Sequence, residues 1–296
     1  MRNFKHLYII LFLTLSLNAV NKDLTKEYYI GVAINKFNKA NQNRIKYLLL
    51  RLTNEMQSLY KAKINIVFIE NDKNLMKDFQ EFNKMNAIVV YTNYYLQNKK
   101  KLKEISIKPF LFNSTEQGKN EFYLIANKSS NIKTIKDLKN KTYASYVADE
   151  GYEVWLDYIV RKKLDTSLEN TIKQKNIKQK NQKLLLDVYF NKSDFTVISK
   201  VVYDDMLLLN PSIKDNVTII EKSKPIFFFG LGLFHKNTPN QLVDDFFRIV
   251  DNGDFNRKFK ELFLILNLYG LQKTSFADLS SLDVYYDEYI KLKKSK

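Results

Sequence analysis

The chain has no cysteine among its 296 residues, and this absence excludes several kinds of protein at once. Without a thiol there is no disulfide, no cysteine nucleophile and no zinc site that uses cysteine. A cysteine that would carry a lipid anchor behind an export signal is also missing. The protein is therefore expected to work without covalent crosslinks and without an attached lipid.

The first 19 residues are typical of a cleavable signal peptide. Arg2 and Lys5 precede a short apolar run at residues 7–17, and Leu17, Asn18 and Ala19 form a cleavage site. The run is shorter than the roughly 20 residues that span a bilayer, and no comparable run follows it. We therefore predict export to the periplasm and a soluble mature protein, with a retained membrane anchor as the weaker alternative.

Histidine and glycine are also scarce, with two and seven residues. After removal of the signal, His235 is the only histidine, and no G-x-S-x-G sequence accompanies it to suggest a serine hydrolase. Gly230 and Gly232 lack the third glycine of a dinucleotide-binding loop and lie within an apolar run. We therefore predict no catalytic residue, no metal ion and no cofactor, and a protein that is not an enzyme.

Acidic residues are outnumbered, with 32 against 48 lysines and arginines. Removal of the signal lowers the net charge from +16 to about +14. Such an excess is typical of proteins that bind nucleic acid or anionic membranes. Here the lysines are spread along the whole chain, and exported proteins seldom meet nucleic acid. We predict no nucleic-acid partner and attribute the charge to a compositional bias.

Apolar patterns alternate between strand and helix through the first hundred residues. Strands are predicted at residues 28–34, 64–69 and 87–91, and helices at 45–59 and 75–82. This βαβαβ order predicts a parallel sheet, and ligands of such sheets bind beyond the carboxyl ends of the strands. Residues 35–38 and 92–95 are therefore candidate binding segments.

A second unit begins near residues 122–126 and contains the sequence IKTIKDLKNKTYASY. There Thr134 and Asp137 are predicted to cap a short helical turn, and Asn140 to reverse the chain before a strand at 142–147. The next predicted elements are a helix at 152–164, an edge strand or mobile loop at 171–183, a helix that ends at Asn191, a strand at 195–198, a strand at 217–220, a strand at 226–234, and a helix at 242–250 opened by Thr238, Pro239 and Gln241.

Three of these segments resemble the type 2 periplasmic binding proteins, and most closely the phosphate/phosphonate branch of the ABC transporter solute-binding proteins. They are the D-L-K-N-K turn before the strand at 142–147, Asp194 before the strand at 195–198, and the strand at 226–234 preceded by Ser223 and Pro225. At Asn191 and Lys192 the family has a glycine, which Asn can replace sterically.

The resemblance covers roughly residues 25–271 and implies an α/β fold with two lobes. Each lobe is expected to be a mixed, mostly parallel sheet flanked by helices. Lobe 1 would comprise residues 20–118 and 226–296, and lobe 2 residues 119–225.

The resemblance also implies a function. A small ligand would be captured between the lobes by a hinge motion and passed to the membrane permease of an ABC importer. The alternative is a periplasmic ligand sensor that feeds a membrane kinase or cyclase without transport. Neighbouring genes would separate the two, and the protein is expected to be a monomer.

One turn departs from the phosphonate-binding pattern. Where those relatives carry hydroxyl side chains that hold the anion, residues 147–151 read Val-Ala-Asp-Glu-Gly. Each unit charge at about 4 Å costs roughly 4 kcal/mol at an effective dielectric near 20, so Asp149 and Glu150 would repel a phosphate. We therefore expect a cationic or amine-bearing ligand, unless both acids point to solvent.

The candidate ligand-binding residues follow the predicted strands. They are Asn35, Phe37, Tyr91, Thr92, Tyr94, Ser145, Tyr146, Asp149, Glu150, Ser199 and Tyr203. Aromatic side chains with one polar tip suit a mostly apolar pocket, although each tyrosine alternatively packs in the core.

Overall fold

The computed structural model describes residues 27–35, 39–60, 63–82, 84–113, 119–147, 151–226, 230–266 and 268–295. Two separate sheets organise these residues. The first has the order β11-β4-β10-β3-β1-β2 and consists of β1 (Glu27–Ala33), β2 (Lys63–Ile69), β3 (Ala87–Tyr91), β4 (Ser106–Asn113), β10 (Gly230–His235) and β11 (Gly270–Lys273). The second has the order β7-β6-β8-β5-β9 and consists of β5 (Phe122–Asn127), β6 (Thr142–Tyr146), β7 (Gln174–Lys178), β8 (Phe195–Ser199) and β9 (Val217–Lys222).

Helices flank both sheets. They are α1 (Lys39–Tyr60), α2 (Leu75–Gln80), α3 (Thr92–Ile105), α4 (Tyr152–Leu164), α5 (Leu168–Thr171), α6 (Asn181–Tyr189), α7 (Lys200–Leu209), α8 (Ile213–Asn216), α9 (Asn240–Asp251), α10 (Asp254–Lys258), α11 (Lys260–Leu266) and α12 (Ser280–Lys294). Short 3₁₀ turns lie at Asp72–Asn74, Lys128–Ser130 and Ile135–Leu138. The predicted strand at 87–91 and helix at 152–164 have these bounds in the structure.

Both sheets are mixed, as predicted. The βαβαβ run pairs β1 with β2 and with β3 in parallel, and β6 pairs in parallel with β7 and β8. The chain enters the second sheet at β5 and returns to the first at β10. Each of these two strands runs antiparallel to both of its neighbours. With β11 also antiparallel to β4, the share of parallel pairing is smaller than we expected. The lysine-rich segment forms the edge strand β7, one of its two predicted forms.

Apolar residues form two cores that correspond to these layers. One lies between the first sheet and helices α1, α9, α10 and α11, and contains Leu48, Phe110 and Phe247. The other is continuous from the α3 side of the first sheet into the second lobe, and contains Leu96, Leu124 and Trp155. The first sheet is therefore covered on both faces, which explains why its strands are almost wholly apolar.

Two asparagines adopt the left-handed backbone that the sequence predicts. Asn140 has φ 61° before β6, and Asn191 has φ 58° after α6. Asp137 folds back as predicted, since its carboxylate accepts hydrogen bonds from the backbone N–H of Thr134 (2.8 Å) and of Lys133 (3.0 Å). Short polar side chains tolerate the left-handed conformation, which glycine supplies in the resembled family.

The predicted cap of the helix after residue 238 is wrong. Helix α9 begins at Asn240, and its N-cap residue Pro239 makes no side-chain cap. The hydroxyl of Thr238 instead donates to the carbonyl oxygen of Asn86 at 2.8 Å, a buried hydrogen bond that the sequence pattern does not reveal. Of the strand predicted at 226–234, the described part is β10, from Gly230 to His235. Ile226 belongs to a turn, and residues 227–229 lie outside the described residues.

His235 ends β10 in a buried position with only 3 % of its surface exposed. Its Nδ1 accepts the N–H of Asn237 at 3.1 Å, and its ring meets Phe79 and Phe82 at centroid distances of 5.5 and 5.2 Å. Burial, with a smaller contribution from Lys236, lowers the pKa of His235 below its ordinary value of 6.5. The imidazole is therefore neutral in the folded protein at neutral pH.

This burial predicts a pH dependence of stability. The unfolded chain binds a proton near pH 6.5, whereas the folded chain binds it only at lower pH, so His235 contributes stability above pH 6.5 that is lost as the pH falls through the folded-state pKa. We expect the free energy of unfolding to decrease between pH 7 and pH 5. Urea unfolding of the parent and of His235→Gln measures this, and an equal decrease in both would contradict the assignment.

Candidate ligand-binding cleft

In each sheet, the ends of several strands form an edge that faces the corresponding edge of the other sheet. In the first sheet, the carboxyl ends of β1, β3 and β4 lie beside the amino end of β10, where Gly230 pairs with Tyr91 and Phe112. In the second, the carboxyl ends of β6, β8 and β9 lie beside the amino end of β5, where Phe122 pairs with Ser199. Both connections between the sheets, from β4 to β5 and from β9 to β10, join these two edges. A cleft between the edges is therefore the candidate site.

The first lobe contributes the residues that follow β1 and β3. Asn35 lies two residues after the end of β1, and its Oδ1 is buried with no hydrogen-bond donor. Tyr91 ends β3 and is half-buried, and Thr92, which is 2 % exposed, opens α3. Tyr94 points elsewhere, because its hydroxyl bonds to the backbone of Met76 in α2. Burial, with the charge of Asp72, raises the pKa of Tyr94 to about 12.

In the second lobe, the hydroxyl of Ser145 is already engaged. Ser145 is buried near the end of β6, and its Oγ donates to a carboxylate oxygen of Glu153 in the first turn of α4. The same carboxylate pairs with Lys175 of β7 at 2.6 Å. Tyr146 follows at the end of β6 and is half-buried against the core. An anion at this position would compete with Glu153 for both donors.

The residues around the end of β8 have structural contacts as well. The side chain of Ser199 accepts the N–H of Val202 at 3.3 Å and so caps α7. Tyr203 is 9 % exposed and packs edge-on against Tyr123, with ring centroids 5.7 Å apart. Burial raises the pKa of Tyr203, with a smaller contribution from Asp204. Both side chains therefore have partners within the second lobe.

Three candidate residues, Phe37, Asp149 and Glu150, lie outside the described residues. The charge of the turn after β6, on which the predicted preference for cations depends, is therefore known from sequence alone. The candidate set as a whole stays a prediction, with Asn35, Tyr91 and Thr92 placed at the edge of the first sheet and Ser145, Tyr146 and Ser199 at the edge of the second.

Sequence reasoning missed residues that border the same edges on antiparallel strands. Asn113 ends β4, where its Nδ2 donates to Gln272 at 2.7 Å and its Oδ1 is buried without a donor. At the end of β9, the ammonium of Lys222 lies 4.9 Å from the ring centre of Tyr123, whose hydroxyl bonds to Glu121 at 3.4 Å. The sequence rule covers only positions beyond the carboxyl ends of parallel strands, whereas these positions flank the two connections between the sheets.

Two other kinds of feature are absent from the described ranges. No group of three or more histidine, aspartate or glutamate side chains there is arranged to hold a metal ion. Nor does any helix in that part of the chain have the length and apolar character needed to cross a membrane.

Residues 41–250 match the model of one protein family, described as the periplasmic phosphonate substrate-binding proteins of ABC transporters. The match covers more than half of the chain. The chain belongs to this family. No curated protein sequence matches the chain at a significant level.

Solved structures with the same fold agree with this assignment. A Xanthomonas citri protein bound to ATP superposes with a TM-score of 0.64 at 11 % identity, over 91 % of this chain and 99 % of that one. PhnD1 of Prochlorococcus marinus in complex with methylphosphonate gives 0.59 at 12 %, over 90 % and 99 %. The binding-protein component of an ABC phosphonate transporter from Pseudomonas aeruginosa gives 0.56 at 16 %, over 91 % and 97 %. At these identities the likeness shows the fold alone.

Membership of the family confirms the predicted resemblance and the two-lobed α/β fold. Proteins of this family are periplasmic and bind substrates for ABC transporters rather than converting them, in agreement with the prediction that the chain is not an enzyme. The family assignment leaves the ligand of this chain open, and the edges of its two sheets are the place to look for it.

Proposed function

We propose that the protein is the periplasmic solute-binding component of an ABC importer, working as a monomer after its signal peptide is removed. The observation that supports this most directly is the pair of sheet edges that face each other, with the chain passing from one sheet to the other at the β4–β5 and β9–β10 connections. Two lobes on two connections can rotate about them, so a ligand can enter an open cleft and be enclosed.

In this proposal the boundaries of the lobes follow the predicted ones, at residues 118/119 and 225/226. Each lies within a connection between the two sheets. Residues 114–118 and 227–229, which are outside the described residues, belong to these connections. The permease would recognise the closed arrangement of lobes 1 and 2.

We further propose that the ligand presents hydrogen-bond donors, such as an amino group, to the first lobe. The buried Oδ1 atoms of Asn35 and Asn113 are acceptors without donors, and a ligand N–H would remove the cost of leaving them unpaired. In the second lobe, Ser145 and Lys175 already bind Glu153 and so are poor partners for an oxyanion. Both observations favour an amine over a simple phosphonate.

Thermal unfolding of residues 20–296 with amines, amino acids, phosphonates, phosphate and sulfonates tests this proposal. A ligand at 100 times its dissociation constant adds about 2.7 kcal/mol, which should raise the midpoint by roughly 5–10 °C for a chain of this size. Asn35→Leu should reduce the shift, whereas Asn54→Leu, an exposed change on α1, should leave it unchanged. No shift with any compound would contradict the solute-binding role, and a shift with phosphonates alone would contradict the amine preference.

Transport and sensing are separated by a deletion strain once a ligand is known. We expect deletion of the gene to abolish uptake of that ligand at low concentration, because an importer depends on its binding protein. Normal uptake together with a lost transcriptional response to the ligand would instead support a sensor that acts on a membrane kinase or cyclase.

A further inference from the structure

Helix α12 lies between the two lobes. Its partners are α3 of the first lobe and α4 of the second, and both of those helices begin at the edges that border the cleft. The linker before α12 also passes the first connection between the lobes, where the ammonium of Lys119 donates to the carbonyl oxygen of Asp278 at 3.2 Å. The helix therefore forms a link between the lobes in addition to the two connections of the chain.

On the α3 side, α12 is attached through a buried carboxylate. Asp283 is 7 % exposed, and its Oδ2 accepts hydrogen bonds from the ammonium of Lys103 and from the hydroxyl of Tyr95, the latter at 3.3 Å. Lys99 donates to the carbonyl oxygen of Asp283 at 2.9 Å and pairs with Asp287 at 2.8 Å. Separating these groups would leave a charge buried without its partner, so this side is expected to stay closed.

On the α4 side, the contacts are made by tyrosines, of which Tyr285 and Tyr289 are buried and Tyr158 is half-buried. The rings of Tyr285 and Tyr158 meet edge to face with centroids 4.8 Å apart, and the hydroxyl of Tyr158 donates to Glu288 at 2.7 Å. The hydroxyl of Tyr289 donates to Asp157 at 3.0 Å. The ion pair on this side, between Lys162 and Glu288 at 3.9 Å, is exposed, and the two other polar contacts join a neutral hydroxyl to a carboxylate. Water can replace such partners when they separate, and exposed pairs are weaker than the buried pair of Asp283 and Lys103.

We propose that α12 is a strap, fixed to α3 and releasable from α4, that limits how far the two lobes move apart. Because α12 moves with the first lobe, rotation of the second lobe changes the contact between α4 and α12. Helix α4 must either slide along the face of α12 that carries Tyr285 and Tyr289 or detach from that face. The contacts of Tyr158 and Tyr289 then set the range of opening in the protein without ligand. The inference concerns the motion of the lobes and holds whichever ligand the cleft binds.

The absence of cysteine allows a direct test by spin labelling. Leu264 of α11 and Leu208 of α7 lie one in each lobe and are 68 % and 84 % exposed, so cysteines at these two positions can carry nitroxide labels. Pulsed electron–electron double resonance then gives the distribution of distances between the lobes in the ligand-free protein. The parent, the release variant Tyr158→Phe/Tyr289→Phe and the control Tyr286→Phe are compared. Tyr286 lies on the same helix beside Lys99 of α3.

We expect the release variant to show a broader distribution, with added population at longer distances, and the control to match the parent. Far-UV circular dichroism and the unfolding midpoint verify that all three are folded. If the double variant does not fold, Glu288→Gln replaces it, because it weakens the exposed bond to Tyr158 without changing a ring. An unchanged distribution in the folded release variant, or equal broadening in Tyr286→Phe, would overturn the proposal.

Discussion

Gly232→Ala is expected to lower the free energy of unfolding by about 3 kcal/mol, the upper end of the range for overpacking a core. Gly232 lies in the middle of β10, opposite Phe110 of β4. A Cβ atom at Gly232 would lie 1.9 Å from Cζ and 2.0 Å from Cε2 of the Phe110 ring. Movement of the ring is restricted, because it also packs against Phe234 and Phe246 at centroid distances of 5.6 and 4.9 Å.

Gly253→Ala is the matched control for this change. Gly253 has φ +71°, and no atom lies within 4 Å of the position that a Cβ atom would take, so alanine there incurs only the left-handed backbone strain of about 1–2 kcal/mol. Adding Phe110→Leu to Gly232→Ala should recover part of the loss if the ring is the cause. Thermal unfolding followed by circular dichroism measures all of these variants. Equal losses for the two glycines, with no recovery in the double variant, would show that the steric argument is wrong.

This glycine illustrates which parts of the fold follow from local sequence. Apolar periodicity predicts the βαβ run and α4 because one face of each element is buried, and the patterns of strand and helix differ in period. Asn140 and Asn191 are recognisable because few residues adopt left-handed backbone without strain. Gly232, in contrast, interrupts an apolar run for a reason that lies on another strand, the ring of Phe110.

In the candidate site, too, some features follow from the sequence and others depend on contacts between distant parts of the chain. Its position follows from the order of strands, so Asn35 and Thr92 are placed at the cleft edge by topology alone. The carboxylate of Glu153 binds both Ser145 and Lys175 and so joins three separate elements, and no spacing in the sequence signals these contacts. The role of Thr238 is hidden from the sequence for this reason too, since its partner, the carbonyl of Asn86, is 152 residues away.

The second large effect is expected at Asp194. This residue is one of those that resemble the family, and we expect it to stabilise the fold rather than to bind the ligand. Its Oδ2 accepts hydrogen bonds from both the N–H and the hydroxyl of Thr142, each at 2.7 Å. The backbone N–H of Asp194 donates in return to the carbonyl oxygen of Thr142 at 3.0 Å. The start of β6 is thereby joined to the turn before β8, at the ends of these strands that lie away from the cleft.

We expect Asp194→Ala to cost about 2–3 kcal/mol, because hydrogen bonds to a charged group are worth about 1.5–3 kcal/mol and the N–H of Thr142 would lose its partner. Asp194→Asn keeps one acceptor and should cost less, and Asp215→Ala, an exposed change in α8, should cost almost nothing. Urea unfolding followed by the fluorescence of Trp155, the single tryptophan, reports on this lobe. Because Asp194 is remote from the cleft, the ligand-induced shift should persist in the folded variants, and its selective loss in Asp194→Asn would instead place this residue in the binding site.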